Sequence, residues 1–133
     1  MQFQGTLTIP ANTAETAPVI HRVGVSPGIT DHVFIGLPPG CKGLVHLAVW
    51  HLHWQLWPWT PGEYFSWDGY VFDFHDRYPI EEPPYELVMK GWSEDDSYPH
   101  DVLFMVIVET APPAEDVRLL HETLLALGLM REG

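Results

Sequence analysis

The first residues of the chain alternate between apolar and polar side chains. Apolar side chains occur at the odd positions Phe3, Leu7 and Ile9, whereas the even positions from 2 to 8 are Gln or Thr. Because successive side chains of a β-strand point to opposite faces, this alternation predicts a strand with one face in a core. Apolar runs that end near proline and glycine predict further strands over residues 19–25 and 31–37.

The longest apolar run covers residues 44–56 and is rich in Val and Trp. A strand that is apolar on both faces is usually central, or has one face covered by another subunit, so we expect one long strand here. Within the run Trp50 alternates with His51 and His53. This alternation predicts that the Trp-bearing face lies in the core and that the His-bearing face points outward.

Three more strands are expected over residues 67–74, 85–91 and 102–109, which gives about seven in total. Short strands separated by turns that contain proline and glycine are typical of all-β domains. We therefore expect an all-β fold over residues 1–111, namely an antiparallel β-sandwich with a jelly-roll-like or immunoglobulin-like arrangement.

Residues 112–133 have a different, helical periodicity and predict a short C-terminal helix. The apolar positions at three- and four-residue spacing are Val117, Leu120, Leu124 and Leu127. A helix of about fourteen residues is marginal alone in water, so this stripe needs a surface to cover, either on its own sandwich or on another subunit. The stiff Pro112-Pro113 pair favours another subunit. We therefore expect a homo-oligomer or a larger array, with Leu120, Leu124 and Leu127 at the interface.

Charge restricts the partners that the chain can bind. Eighteen acidic residues stand against six Lys and Arg, which gives a net charge of −12. Nucleic-acid binding depends on clustered basic residues that release phosphate counterions, and anionic membrane surfaces attract basic segments. Neither partner is therefore expected, and neutral or basic partners are favoured.

The cellular compartment is predicted from further features of the sequence. Cys41 is the single cysteine, so no intramolecular disulfide is expected. Neither a secretory signal nor a run of about twenty apolar residues is visible. We therefore expect folding in a cytoplasm and no membrane span.

Histidines near the end of the long apolar run are candidates for a metal site. His51 and His53 would point the same way on a strand and reach one ion, and His100 is a further candidate ligand. The His-x-His pair followed by Glu63 resembles the metal motif of cupins, although Glu63 lies farther along the chain than that motif requires and the second half of the motif is absent. Because the ligand set is incomplete, we expect no stoichiometric metal and no cofactor. A cupin-like metal-dependent enzyme is kept as an alternative.

Aromatic residues are concentrated between positions 54 and 67. The candidates for a binding or interface role are Trp57, Trp59, Tyr64 and Trp67. Such rings fill cores, anchor protein interfaces and hold sugar rings. Pro58 interrupts the strand pattern, which indicates that some of the rings lie on a loop or rim. We favour a protein interface here, with a carbohydrate- or cell-surface-binding platform as the alternative.

No residue pattern typical of a catalytic nucleophile is present. The sequence lacks G-x-S-x-G and a phosphate-cradling glycine loop, and Cys41 lies in a predicted turn. The acidic run at residues 94–96 lacks the spacing of a calcium-binding loop, so we expect a solvated turn there. These observations favour a protein that is not an enzyme.

Short motifs that contain turn residues lie beside the predicted strands: Ile9–Thr13, Pro38–His46, Pro58-Trp59 with Gly62-Glu63, Pro83–Leu87 and Tyr98–His100. In these motifs the chain resembles small uncharacterised β-sandwich structural proteins of tailed bacteriophages. The resemblance covers most of residues 1–109. It implies a capsid-decorating or tail-associated subunit that is assembled in the host cytoplasm, resides in the virion and has no catalytic residues. Our leading hypothesis is therefore a non-enzymatic virion or assembly protein that acts through protein–protein contacts.

Overall fold

The domain is built from β-strands alone over the part of the chain that can be described. A computed structural model describes residues 1–110, which contain nine strands and no helix. In chain order the strands are β1 (Gln2–Ile9), β2 (Val19–Gly24), β3 (Gly28–Leu37), β4 (Val45–His51), β5 (Trp54–Trp57), β6 (Tyr70–His75), β7 (Pro79–Ile80), β8 (Glu86–Ser93) and β9 (His100–Thr110). The prediction of an all-β domain is confirmed for these residues.

The strands form two antiparallel sheets around one core. Sheet A has the order β1-β9-β3-β6, with β7 paired to β3, and sheet B has the order β2-β8-β4-β5. Side chains from the inner faces of both sheets join one hydrophobic cluster, so the arrangement is sandwich-like. The largest fully buried side chains include Trp57, Phe104, Ile9, Ile35, Leu47, Leu87 and Met89.

The alternation that predicted β1 is confirmed by its burial, since Leu7 and Ile9 are buried and the Gln and Thr side chains are exposed. Gly5 stands at a position where the alternation would place an apolar side chain. Strand β2 passes so close to it that an added Cβ would lie 2.7 Å from Cγ2 of Val23. A Cβ on Gly91 of β8 would likewise collide with Ile9. These two glycines allow one edge of sheet A to approach one edge of sheet B closely.

The expected long strand over residues 44–56 is wrong. The chain turns at Leu52 and His53, and β4 and β5 pair as a hairpin in which His51 lies opposite Trp54. Leu52 adopts a φ of 55°, in the left-handed region that tight turns use. No Gly, Asn, Asp or Pro marks this turn, so the apolar pattern runs through it without a break. With β5 and the two-residue β7, the strands number nine rather than about seven.

The predicted faces of β4 are also wrong. His51 is 2% exposed and follows Leu47 and Val49 on the inner face. Trp50 is only partly buried on the outer face, where Nζ of Lys90 lies 4.2 Å from the centre of its ring. Trp and His both combine an apolar ring with a polar nitrogen, so hydropathy alone did not identify which of them faces the core.

The predicted C-terminal helical segment, residues 112–133 with Leu120, Leu124 and Leu127, lies outside the described residues. Its role at an interface therefore stays a prediction, as does the domain boundary after residue 111. Within residues 1–110 no helix is long and apolar enough to cross a lipid bilayer.

The burial of the two tryptophans predicts unequal effects of mutation. Trp57→Ala should lower the free energy of unfolding by about 3–5 kcal/mol, as large buried aromatics do on truncation. Trp50→Ala should cost clearly less, because its ring lies on the outer face of sheet B. Urea denaturation followed by circular dichroism measures both changes. Equal losses, or a larger loss for Trp50→Ala, would contradict this assignment of the inner and outer faces.

Candidate functional site

Trp57, at the end of β5, connects sheet B to sheet A. Its buried ring packs edge-on against Phe74 and lies near Phe104, with ring centroids 6.1 Å and 6.2 Å away. Its Nε1–H donates a hydrogen bond of 2.7 Å to Oδ2 of Asp76, which follows β6. The segment after β6 is thereby attached to the end of β5.

The loop after β5 is organised by Gln55. Its side-chain amide donates to the backbone carbonyls of Pro58 at 2.8 Å and of Glu63 at 2.9 Å, and its oxygen accepts the Gly62 N–H at 3.2 Å. Pro58 ends the strand because it cannot donate to the ladder. Trp59 therefore leaves the sheet, and its Nε1–H donates to the same Asp76 oxygen at 3.2 Å.

These contacts create an open apolar cavity, which we call the Trp59 cavity. Its volume is about 250 Å³, and it is lined by Trp57, Pro58, Trp59, Phe65 and Phe74. Trp59 is 67% exposed, so most of its indole ring is accessible to solvent at the edge of the cavity. The site therefore offers an aromatic surface with a carboxylate, that of Asp76, beside it.

A second cavity, the His51 cavity, opens between the β4–β5 turn and the segment around β7. Its volume is about 240 Å³, and it is lined by His51, Leu52, Trp54, Tyr78, Pro79, Glu81 and Glu82. His51 Nδ1 lies 2.6 Å from the Tyr78 hydroxyl, while no atom of residues 1–110 stands in hydrogen-bonding geometry to the buried Nε2. Burial lowers the pKa of His51, and the nearby Glu82 carboxylate and backbone oppose this shift.

Thr30 of β3 holds one wall of the His51 cavity in place. Its N–H donates to the Tyr78 carbonyl at 2.9 Å, and its hydroxyl accepts the Tyr78 N–H at 2.7 Å. The same hydroxyl donates to the carbonyl of Asp76 at 2.5 Å. Because Thr30 is fully buried, these bonds fix the backbone that carries both Asp76 and Tyr78.

The predicted metal candidates do not come together as expected. His51 and His53 do not share a strand face, because β4 ends at His51 and His53 lies in the exposed turn. His100 is bound elsewhere, with Nε2 2.7 Å from Asp95. Across residues 1–110 no group of three His, Cys, Asp or Glu side chains could hold a metal ion. The expectation that the protein carries no stoichiometric metal stays a prediction.

The predicted aromatic candidates separate into different environments. Trp57 belongs to the core and Trp59 to its cavity, whereas Trp67 is 62% exposed away from both. Tyr64 packs edge-on against Trp92, 5.7 Å between centroids, on the outer face of sheet B. Asp76, Gln55 and Tyr78, which shape the two cavities, were not among the predicted site residues.

The acidic run at residues 94–96 is only partly a solvated turn. Glu94 and Asp96 are exposed, but Asp95 is buried and its carboxylate accepts hydrogen bonds from the Ser97 and Tyr98 backbone N–H groups at 2.9 Å and 3.3 Å. The His100 side chain and these backbone donors lower the pKa of Asp95. This network ties the loop before β9 to the sandwich.

A search with this sequence finds no matching protein-family model and no match among curated proteins. The resemblance to phage structural proteins stays a prediction from the short motifs that contain turn residues. Any function has to be inferred from the geometry of the domain itself.

The Asp95 network predicts a pH-dependent contribution to stability. A carboxyl group with a lowered pKa in the folded state stabilises the fold above its unfolded pKa of about 3.9, and this contribution is lost as the pH falls through the folded value. Asp95→Asn should therefore be less stable than the wild type near neutral pH, and the difference should shrink below about pH 4. Thermal unfolding across the acidic range measures this, with the exposed Asp96→Asn as control. A difference that is independent of pH would contradict the assignment.

Proposed function

We propose that this protein is a non-enzymatic jelly-roll subunit of a larger assembly, such as the virion of a tailed phage, and that it acts through contacts with further copies of itself. The observation that carries the proposal is an apolar, uncharged area on the outer face of sheet A. The resemblance of the turn motifs to those of phage structural proteins is in line with the same role.

The pairing of the strands supports a jelly roll rather than an immunoglobulin-like arrangement. β1 pairs with β9, β2 with β8, β3 with β6 and β4 with β5, as in one long hairpin whose tip is the β4–β5 turn. Folding such a hairpin over itself gives two sheets that each contain strands from both arms. Known jelly rolls include viral capsid, lectin and cupin domains, so surface chemistry has to distinguish these roles.

The uncharged area, which we call the neutral face, surrounds Leu103 and Met105 on the outer side of β9. Asp101 of the same strand and Asp73 of β6 border it. Leu103 and Met105 of β9 point outward between Thr6 and Gln4 of β1 on one side and Phe34 of β3 on the other. Leu103 is 41% exposed although it lies on a central strand. Aliphatic side chains on the outer face of a central strand are typical of a surface that another molecule covers.

A second copy can occupy this surface because the centre of the surface carries no charge. With a net charge of −12, two copies repel each other wherever their acidic surfaces meet. A contact between copies therefore needs a centre without carboxylates, as the neutral face has, with Asp73 and Asp101 at its solvated rim. A self-complementary contact of this kind closes as a symmetric dimer or ring.

Self-association through the neutral face should be sensitive to a single added charge. The full chain should be multimeric on the order of tens of micromolar, and Leu103→Asp should dissociate it because a carboxylate is then buried in the contact. Ile20→Asp is the control, since Ile20 is 50% exposed on β2 and its replacement adds the same charge. Light scattering measures the molar masses, and circular dichroism verifies folding. A monomeric wild type, or equal dissociation by both variants, would contradict the proposal.

Carbohydrate binding at the Trp59 cavity is the second candidate function. The specific observation is that an exposed indole is oriented by its bond to Asp76 beside an apolar surface. The C–H face of a sugar ring can pack on such an indole while a carboxylate accepts its hydroxyl groups. The cupin-like alternative has less support, because His51 and His53 diverge at the turn.

The carbohydrate alternative predicts a response that is specific to one tryptophan. A sugar that binds the Trp59 cavity should bind Trp59→Ala at least about tenfold more weakly, a loss of about 1.4 kcal/mol. Trp67→Ala is a matched control, because Trp67 is exposed to a similar degree elsewhere. Glycan-array screening followed by calorimetry measures the binding. Absence of binding to any glycan, or equal loss in both variants, would eliminate this alternative.

A further inference from the structure

The His51 cavity contains the components of a binding site for an organic cation. Its volume of about 240 Å³ is smaller than the roughly 300–1,000 Å³ of cavities that hold drug-sized ligands. A single side chain or a small amine matches this size. The charged groups that line it are two carboxylates, on Glu81 and Glu82, and no Lys or Arg among residues 1–110 lines it.

His51 is the most buried residue that lines the cavity. His51 is 2% exposed, and within residues 1–110 its Nε2 has no hydrogen bond.

Aromatic rings provide the remaining walls. Trp54 is exposed at the rim and Tyr78 is half-buried at the side. A cation held over such rings is attracted by the ring quadrupole, in addition to its attraction to carboxylates. The net charge of −12 further concentrates cations around the protein.

We propose that the His51 cavity binds an alkylammonium group, with Glu81 and Glu82 opposing its charge, Trp54 and Tyr78 enclosing its alkyl chain, and the His51 ring forming the buried wall. A divalent metal is disfavoured, because residues 1–110 offer no group of three ligating side chains. The ammonium group belongs to a free amine or to a lysine side chain of a partner protein. The proposal is independent of the neutral face and of the Trp59 cavity.

The test is a titration of the full chain with n-butylammonium, followed by the nuclear magnetic resonance signals of the Trp54 indole and the His51 ring. We expect saturable shifts with a Kd in about the millimolar range, and none with 1-butanol, which has the same alkyl chain and no charge. The variants Glu81→Gln and Glu82→Gln should each weaken binding several-fold, and the double variant at least about tenfold. Glu94→Gln is the control, because Glu94 is exposed and does not line the cavity.

A parallel titration with Nα-acetyl-lysine methylamide distinguishes the two sources of the ammonium group. Tighter binding than n-butylammonium would indicate a lysine of a partner protein, and equal or weaker binding would indicate a free amine. Three results would overturn the proposal: no saturable shift, the same shift with 1-butanol, or no loss of affinity in the double Glu variant.

Discussion

The buried indole of Trp57 is the contact on which the candidate site depends. It extends from the edge strand of sheet B to Phe74 and Phe104 of sheet A, and its N–H is satisfied by Asp76. A buried N–H without a partner would cost about 1–3 kcal/mol, so the position of Asp76 is strongly constrained. Asp76 in turn orients Trp59, and the backbone that follows it carries Tyr78 into the His51 cavity.

The strands that could be predicted from the sequence are those with one buried face and one solvent-exposed face. Strand β1 shows this, because the alternation of Leu7 and Ile9 with Thr is enough to identify the inner face of the strand. The β4–β5 hairpin was not predicted, because its sequence shows no such alternation. Apolar residues continue through the turn, and the left-handed conformation that makes it is adopted by Leu52, a residue that carries no turn signal.

The candidate site was predictable only where a single residue signalled it. Pro58 indicated that Trp59 leaves its strand, and Trp59 indeed lines a cavity. Asp76 and Tyr78 could not be identified as site residues from the sequence. Asp76 bonds to Trp57, 19 residues away, and Tyr78 to His51, 27 residues away, so only the fold brings each pair together. Gln55 carried a usable signal, since a polar amide inside an apolar run needs hydrogen-bond partners, and it finds them in the following loop.

Hydrogen exchange of the Trp57 indole N–H tests most directly whether this contact holds the two sheets together. The signal can be assigned by comparison with Trp57→Phe. The account predicts that this proton exchanges as slowly as the most protected backbone amides of β9, because it is released only when the sheets separate. Exchange as fast as that of the exposed Trp67 indole would contradict the central role of the Trp57–Asp76 bond.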